Sequence, residues 1–490
     1  MYMRKHIWLI ISVLMLASCK KWLDVKPVSQ VSEDDLFKTE AGFEESLNGI
    51  YTRCTRTDLY GSELSFGFPE ALAQNYTFTA EDYPRYQQTA SYNYQDADFI
   101  ARKDGAWRGL YNAIVNCNLL LENLEENNTV LSADKHALIK GEALALRAYL
   151  HFDALRLFAP SFKSNPTAKG VPYVTSFSNK VTATLSVSET LNKIIDDLKE
   201  AKEIIRPVDP IREATYIAGY PTDQVDIERA DKPLFLQNRR HRMNYYAICA
   251  TLARACLYAD KKDEALANAL EVIESNTFPW TNSAAFIEPD ATKKDRIMYR
   301  ELVFAWYIED MVQVVNNRFN SNVVGLYIEN NAGNALYETG GVGAEDNRFK
   351  QWFRLVSGTT AFDRLELQKY LRDPQTNRHY LVAPAIRLSE MYYIAAECTY
   401  DTDPALAAQY LNTVRFNRGM GVPLNISNKD ELIQELVKEA RKEFYAEGQI
   451  FYMYKRLHRS IPTQLGGSIP PNDKVFVLPM PNDEIEFGNP

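Results

Sequence analysis

The chain has 490 residues, of which 46% are hydrophobic and 12% aromatic, so it is long enough to bury a large core. A formal net charge of −9 argues against nucleic acid or an anionic membrane surface as the main partner. The six cysteines include no CxxC pair, and no HExxH, GxSxG, GxxxxGK or GxGxxG motif occurs. We therefore expect no metal site, no cofactor and no disulfide framework.

The first eighteen residues have the pattern of a secretory signal peptide. Arg4 and Lys5 precede an apolar run at 7–17, which is too short to span a membrane. The run ends in Leu-Ala-Ser-Cys, which is similar to a bacterial lipobox, where the cysteine is acylated. We predict a lipoprotein signal peptide at 1–18, a lipid on Cys19 and an extended tether at 19–31. An ordinary signal peptide with an incidental cysteine is the alternative.

Residues 75–99 are rich in tyrosine among Thr, Gln, Asp and Asn, without the sustained period of a strand or a helix. Loops this long are often functional. A sugar stacks its apolar face on an aromatic ring and needs polar groups at its edge. Because the segment offers both, we predict ligand contacts here. The candidates are Asn75, Tyr83, Tyr86, Tyr92 and Tyr94.

Apolar spacing predicts long helices over 98–124 and 134–158, the second with two apolar stripes, which indicates burial on two sides. A further amphipathic helix is predicted over 188–205, with Ser188 as its N-cap. Residues 244–275 and 387–418 each read as a helical hairpin with small residues at the contact, and each resembles a tetratricopeptide unit. Stacked helical pairs are therefore expected.

Aromatic residues also mark the stretch between the two hairpins. Residues 301–307 are strand-like, and the Gly- and Asn-rich stretch 325–347 predicts a surface loop. We add Trp280, Trp306 and Tyr337 to the ligand-binding candidates. For the two tryptophans, burial in the core is the alternative. The Asn and Asp side chains would also suit calcium, although no EF-hand spacing is present.

Two carboxylates, Glu390 and Glu397, share a predicted helix face, and Arg415 and Arg418 lie on the next predicted helix. One hypothesis makes the carboxylates the acid/base pair of a glycosidase. The other makes them members of a buried ion-pair network between stacked helices, where each carboxylate needs a paired arginine. We favour the network, and the same interpretation holds for Glu142 and Arg147.

Motifs distributed over the chain occur together in a fixed order. They are Trp107-x3-Tyr111-x2-Ile114-x3-Asn118, residues 141–149 followed by Gly170-Val171-Pro172, residues 345–350, residues 386–397 (Ile-Arg-Leu-Ser-Glu-Met-Tyr-Tyr-Ile-Ala-Ala-Glu), residues 411–419, residues 441–448 and residues 478–485. In this order and spacing they resemble the SusD/RagB family of outer-membrane nutrient-binding lipoproteins of Bacteroidetes. One departure follows Gly448, where the chain lacks the family's usual His-Arg.

The resemblance implies a mainly α fold, a tetratricopeptide-like helical-pair scaffold with a loop-rich ligand-binding face. We expect one SusD-like domain over 32–490, with an N-terminal part at about 32–233 and a C-terminal part at about 278–490. The family's sugar-contacting residues lie in variable loops, so none is carried over to this chain.

The function implied is non-catalytic binding of oligosaccharide at the cell surface. The protein would be lipid-anchored in the outer membrane and would deliver nutrient to a TonB-dependent (SusC-like) barrel, its expected partner. The alternatives are capture of peptides or other nutrients on the same scaffold, or a surface glycoside hydrolase.

Overall fold

The computed structural model describes residues 33–78, 85–219, 228, 231–319, 325–357, 363–371, 380–464 and 466–488. The predicted signal peptide, Cys19, the tether and the candidate Tyr83 lie outside these residues. Within them the chain is mainly helical with a few small sheets, which confirms the predicted fold class.

Four of the helices up to residue 205 begin at side-chain caps that satisfy otherwise unpaired N–H groups. The helices of this stretch are α1 (Glu33–Leu36), α2 (Glu40–Cys54), α3 (Phe68–Leu72), α4 (Gln87–Ala90), α5 (Ala97–Glu126), α6 (Ala133–Phe158) and α7 (Val187–Ile205). Asp96 caps α5 and Ser132 caps α6. In α7 the cap is Ser186, in a capping box with Glu189, and the predicted cap at Ser188 is wrong because the reciprocal bonds form two residues earlier.

The described residues after 205 are also mainly helical. Their helices are α8 (Tyr245–Tyr258), α9 (Lys262–Glu274), α10 (Ser283–Phe286), α11 (Met311–Phe319), α12 (Asn330–Tyr337), α13 (Asn347–Trp352), α14 (Leu388–Thr399), α15 (Pro404–Asn417), α16 (Lys429–Glu443), α17 (Ile450–Leu457), α18 (Asp473–Phe476) and α19 (Asn482–Phe487). Helix α12 lies inside the predicted surface loop, which is therefore wrong in part. Its Ala332 and Leu336 pack against the core, a helical spacing that the surrounding Gly and Asn obscure.

Consecutive helices pack as pairs, and the pairs stack in layers. The pairs are α6–α7, α8–α9 and α14–α15, joined by packing of α7 on α8 and of α9 on α14, with α16 beside α14 and α17 beside α16. Every side chain of α8 is buried, because this helix lies between neighbours on several sides. Its Cys249 and Cys256 are free and buried, like the other cysteines of the described residues.

Short antiparallel strands complete the fold. Sheet partners are β1 (Lys169–Pro172) with β2 (Thr184–Ser186), β3 (Leu302–Tyr307) with β7 (Val382–Arg387), β4 (Tyr327–Glu329) and β5 (Phe353–Val356) on either side of β6 (Arg364–Leu367), and β8 (Ile461–Pro462) with β9 (Ser468–Ile469). In the β3–β7 pair, Tyr307 lies opposite Val382 and Leu302 opposite Arg387, with register shifts between them. Strand β7 runs directly into α14, so β3 is fixed to the helical stack.

The carboxylates that the sequence singled out form buried or half-buried ion pairs, as predicted, but with other partners. Glu390 pairs with Arg254, Glu397 with Arg456, Arg415 with Glu439, Arg418 with Glu301 and Glu443, Glu142 with Arg239 and Arg242, and Arg147 with Asp197. The partners come from helices that are distant in sequence, which is why spacing along one hairpin does not identify them.

Candidate functional site

A groove of about 310 Å³ opens where β3 ends. We call it the Tyr307 groove. Its lining residues are Asn48, Tyr51, Thr52 and Thr55 from α2, Gln237, Asn238, His241 and Arg242 from the segment before α8, and Trp306, Tyr307 and Glu309 at the end of β3. Aromatic and polar side chains of uncharged type dominate this lining, as in sites that bind small polar ligands.

The segment before α8 is held against β3 by one asparagine. Asn244 caps α8, accepting a hydrogen bond from the N–H of Ala247, and its Nδ2 donates to the carbonyl of Val303 at 2.9 Å. Asn238 adopts a left-handed conformation (φ 48°), which asparagine tolerates better than most residues. It turns the chain between two short 3₁₀ helices, Leu234–Leu236 and Arg239–His241, and brings that segment to the groove.

Tyr307 forms an aromatic platform on this groove. Other residues of β3 are buried, whereas Tyr307, the last, is 50% exposed. Its ring stacks on His241, with centroids 5.7 Å apart and planes at 22°, and Tyr380 meets it edge-on at 5.8 Å. Burial, together with the charge of Arg240, lowers the pKa of His241 to about 3, so the imidazole is neutral near pH 7. The stack leaves part of the tyrosine ring open to solvent.

Three polar atoms of the lining residues are buried and have no hydrogen-bond partner. They are Trp306 Nε1, Gln237 Oε1 and Arg242 Nη2. Because native proteins leave few buried polar atoms unsatisfied, three around one groove indicate a place where a ligand or water completes the bonding. Two of the atoms donate and one accepts, and a sugar hydroxyl can do either.

The groove floor is held together by hydrogen bonds around Glu142. Arg242 donates from Nε to Glu142 at 3.0 Å and from Nη1 to Asn48 at 2.8 Å. Tyr51 donates its hydroxyl to Glu142 at 2.7 Å and accepts from the N–H of Met243 at 2.7 Å. Burial opposes ionisation of Glu142, but Arg239 and Arg242 outweigh it and hold the pKa of Glu142 below its usual value. The floor is therefore positioned before any ligand arrives.

Of the predicted candidates, the structure brings Trp306 to this groove. Its side chain is only 1% exposed and stacks on Tyr60 at 4.4 Å, so it lines the groove without offering a ring face as a platform. The sequence missed Tyr307, His241 and Tyr380. Alternation along the predicted strand was an available signal, since it points Tyr307 to the face opposite Trp306.

The other candidates lie apart from the Tyr307 groove. Asn75, Tyr86, Tyr94 and Tyr337 are buried, and their side chains bond inside the protein to Glu70, Glu63, the Val475 carbonyl and the Lys442 carbonyl respectively. As they stand, the three tyrosines have no face left for a sugar to stack on. Tyr92 and Trp280 are half-buried: the Tyr92 hydroxyl donates to the Leu72 carbonyl, and Trp280 packs on Tyr392. For these two, ligand contact stays a prediction.

Two further findings bear on the site. In the described part of the chain, no three His, Cys, Asp or Glu side chains are placed to hold a metal ion. No helix among the same residues has the length and apolar character needed to cross a bilayer.

Family comparisons agree with this architecture. A family model described as "Starch-binding associating with outer membrane" matches residues 21–219, and the SusD family model matches residues 317–479. A SusD-like protein, P38, of Formosa agariphila is 22% identical over 92% of this chain and 91% of its own length.

Solved structures share the fold. A SusD superfamily protein from Bacteroides thetaiotaomicron has a TM-score of 0.70 and 23% identity, over 93% of this chain and 98% of its own. Surface glycan-binding protein A of the same organism, solved in complex with laminarihexaose, has a TM-score of 0.65 and 15% identity, over 92% and 98%.

Stacked helical pairs that carry an aromatic groove define a class of helical-repeat binding proteins. Within that class, the two matching family models span well over half of the sequence. The chain belongs to the SusD/RagB family, whose members are non-catalytic carbohydrate-binding proteins.

Proposed function

We propose that this chain binds oligosaccharide at the cell surface without catalysis and delivers it to a TonB-dependent outer-membrane transporter. The Tyr307 groove carries the proposal, because an exposed ring lies beside three unpartnered polar atoms. A pyranose ring has an apolar face for the tyrosine and hydroxyls for the atoms around it. The laminarihexaose complex of a protein with this fold supports glycan as the ligand class.

Binding without hydrolysis is supported by the lining of the groove. Glycoside hydrolysis usually needs a pair of carboxylates across the scissile bond. Among the described residues that line the groove, Glu309 is the one acidic side chain. We expect purified protein incubated with labelled polysaccharides to release no product at catalytic rates. Sustained turnover would favour the surface hydrolase.

Replacement of the platform tests the binding proposal. With glycans selected on an array, we expect Tyr307→Ala to weaken binding by about 1 to 2 kcal/mol, a factor of roughly 5 to 30, because the stacking surface is lost. Tyr307→Phe keeps the ring and should bind nearly as well. Phe416→Ala is the matched control, since Phe416 is 49% exposed and lies outside the groove. Calorimetry measures all three.

The opposite outcome is also defined. Equal losses in Tyr307→Ala and Phe416→Ala would remove the groove from the proposal. Saturable binding of a peptide panel beside a silent glycan array would favour the alternative, capture of peptides or other nutrients.

Delivery and anchoring are the remaining parts of the proposal. The signal peptide at 1–18 would direct export and be removed, and the lipid on Cys19 and the tether at 19–31 would hold one SusD-like domain, 32–490, at the outer membrane. We expect a pull-down from outer membranes to recover a large TonB-dependent barrel. Cys19→Ala should keep ligand binding in solution and abolish uptake, and unimpaired growth on the ligand would contradict the tether's role.

A further inference from the structure

A small cavity of about 70 Å³ lies among α6, α8, α14 and α17, inside the helical stack. We call it the tyrosine recess. Five of its lining side chains carry the argument: Arg156 from α6, Arg254 and Tyr258 from α8, Tyr393 from α14, and Tyr452 from α17. It is separate from the Tyr307 groove, with which it shares no lining residue.

Each of these five residues has one buried polar atom without a hydrogen-bond partner. The atoms are Arg156 Nε, Arg254 Nη1 and the hydroxyl oxygens of Tyr258, Tyr393 and Tyr452. Buried polar atoms in native proteins are nearly always satisfied, so five residues with such atoms around one cavity point to an occupant.

The unpartnered atoms of the recess can all donate a hydrogen bond, and the two arginine N–H groups can only donate. Both carboxylates of the lining already accept two bonds: Glu390 from Arg254 at 2.6 Å each, and Glu397 from Arg456 at 2.7 and 2.6 Å. Arg156 pairs with Asp153 through Nη2 and donates to Gln449 at 3.3 Å, which leaves its Nε. An arginine N–H can only donate, so the occupant must accept.

The tyrosine hydroxyls remain donors as well. Burial raises the pKa of Tyr258, Tyr393 and Tyr452 well above the usual value, so all three stay protonated at neutral pH. A cation would find no unengaged carboxylate among the described lining residues.

The recess adjoins a charged groove of about 730 Å³, with which it shares the lining residues Leu257, Tyr258, Glu397 and Arg456. This outer groove has five basic and three acidic lining residues. The basic ones are Lys163, Lys262, Lys429, Arg456 and Arg459, and the acidic ones are Asp260, Glu397 and Asp430. Four of these basic side chains are paired with carboxylates, Lys262 and Lys429 with Asp401, Arg456 with Glu397 and Arg459 with Asp430, so the net positive charge that favours anions here is small.

We propose that the tyrosine recess binds a small monovalent anion, a halide or a small carboxylate, which accepts hydrogen bonds from the arginine N–H groups and tyrosine hydroxyls. A cavity of this volume has room for roughly a few water-sized atoms, so a halide or formate fits and a larger anion does not. The bound anion would bridge four helices of the stack. Ordered water is the competing occupant.

Anion exchange at constant ionic strength separates the two. We expect the unfolding temperature of the purified protein to rise saturably as sodium chloride replaces sodium gluconate. A crystal soaked in bromide should give an anomalous peak within hydrogen-bond distance of the tyrosine hydroxyls. Formate added at fixed bromide should reduce that peak if a carboxylate is also accepted and leave it unchanged if the recess takes halides alone.

Hydroxyl removal provides the matched comparison. The double variant Tyr393→Phe, Tyr452→Phe should weaken halide binding at least tenfold and, in gluconate, unfold no earlier than the parent, because two unpartnered hydroxyls are gone. Tyr454→Phe is the control: its hydroxyl is also buried and also belongs to α17, but Tyr454 does not line the recess. Absence of both the chloride dependence and the bromide peak, or an equal effect of Tyr454→Phe, would overturn the proposal in favour of water. If the double variant does not fold, the bromide peak in the parent protein decides.

Discussion

Glu443→Gln tests whether the carboxylates of this chain are structural. The Glu443 side chain is fully buried and accepts hydrogen bonds from three arginines: Arg418 at 2.9 and 2.6 Å, Arg348 at 2.9 Å, and Arg387. Burial alone would favour its neutral form, but Arg387 and Arg418 outweigh that effect and hold the pKa of Glu443 well below its usual range. The substitution keeps the shape and removes the charge.

The expected loss of stability depends on the acidic partners that the three arginines retain in Glu443→Gln. Breaking a buried ion pair by removing one partner costs about 3 to 5 kcal/mol. Each arginine keeps at least one other acidic partner. Arg418 keeps Glu301, Arg348 keeps Asp346 and Glu439, and Arg387 keeps Glu447. We therefore expect the lower end, a loss of about 3 kcal/mol in the free energy of unfolding.

Urea unfolding with linear extrapolation measures this loss. Glu345→Gln is the control, because Glu345 forms an exposed pair with Lys350 and should change the free energy of unfolding by less than about 1 kcal/mol. A loss below about 1 kcal/mol for Glu443→Gln would refute the view that this cluster holds the helices together. Reduced glycan binding at unchanged stability would instead assign the carboxylate to the ligand.

Three further predictions concern the core and the groove. Burial raises the pKa of Glu439, but Arg348, Lys442 and Arg415 outweigh burial and lower that pKa from 4.5 to about 2. The ionised carboxylate therefore stabilises the fold fully above about pH 4.5, and this stabilisation is lost as the pH falls toward 2. A free energy of unfolding that stays constant over this range in acid titration would contradict the prediction. Tyr51→Phe should lower the free energy of unfolding by about 1 to 3 kcal/mol, because the buried N–H of Met243 loses its acceptor, while affinity changes less than in Tyr307→Ala. Glycan affinity measured by calorimetry should be constant between pH 5 and 8, since the pKa of His241 is about 3, and a midpoint in that range would argue against a neutral imidazole beneath the platform.

Periodicity along the chain was sufficient for the helical scaffold. The two stripes of α6 and the small residues of α8 follow from sequence spacing, because local burial on two faces leaves a local pattern. Ion-pair partners leave no such pattern. Glu390 reaches Arg254, which is 136 positions away, so only the stacking order of the helices determines the pair.

Aromatic composition was a poor guide to the site. In the predicted ligand segment, Tyr94 stacks on Phe99 at 4.7 Å and the Tyr86 ring lies 4.4 Å from the Arg102 guanidinium carbon, so these rings pack within the protein. An aromatic ring that packs in the core and an aromatic ring that binds a sugar have the same sequence signature. The difference lies in tertiary contacts.

The Tyr307 platform and the helical stack share one pair of strands. At one end of the β3–β7 ladder, Tyr307 pairs with Val382 beside the groove; at the other, Arg387 enters the ion-pair cluster around Glu443. Between them, Arg254 of α8 donates to the Ala385 carbonyl of β7 at 2.9 Å. Binding is weakened when the protein must order loops or side chains to receive a ligand. Because the platform is an extension of the core, the proposed capture of a glycan requires ordering of the sugar and little ordering of the protein.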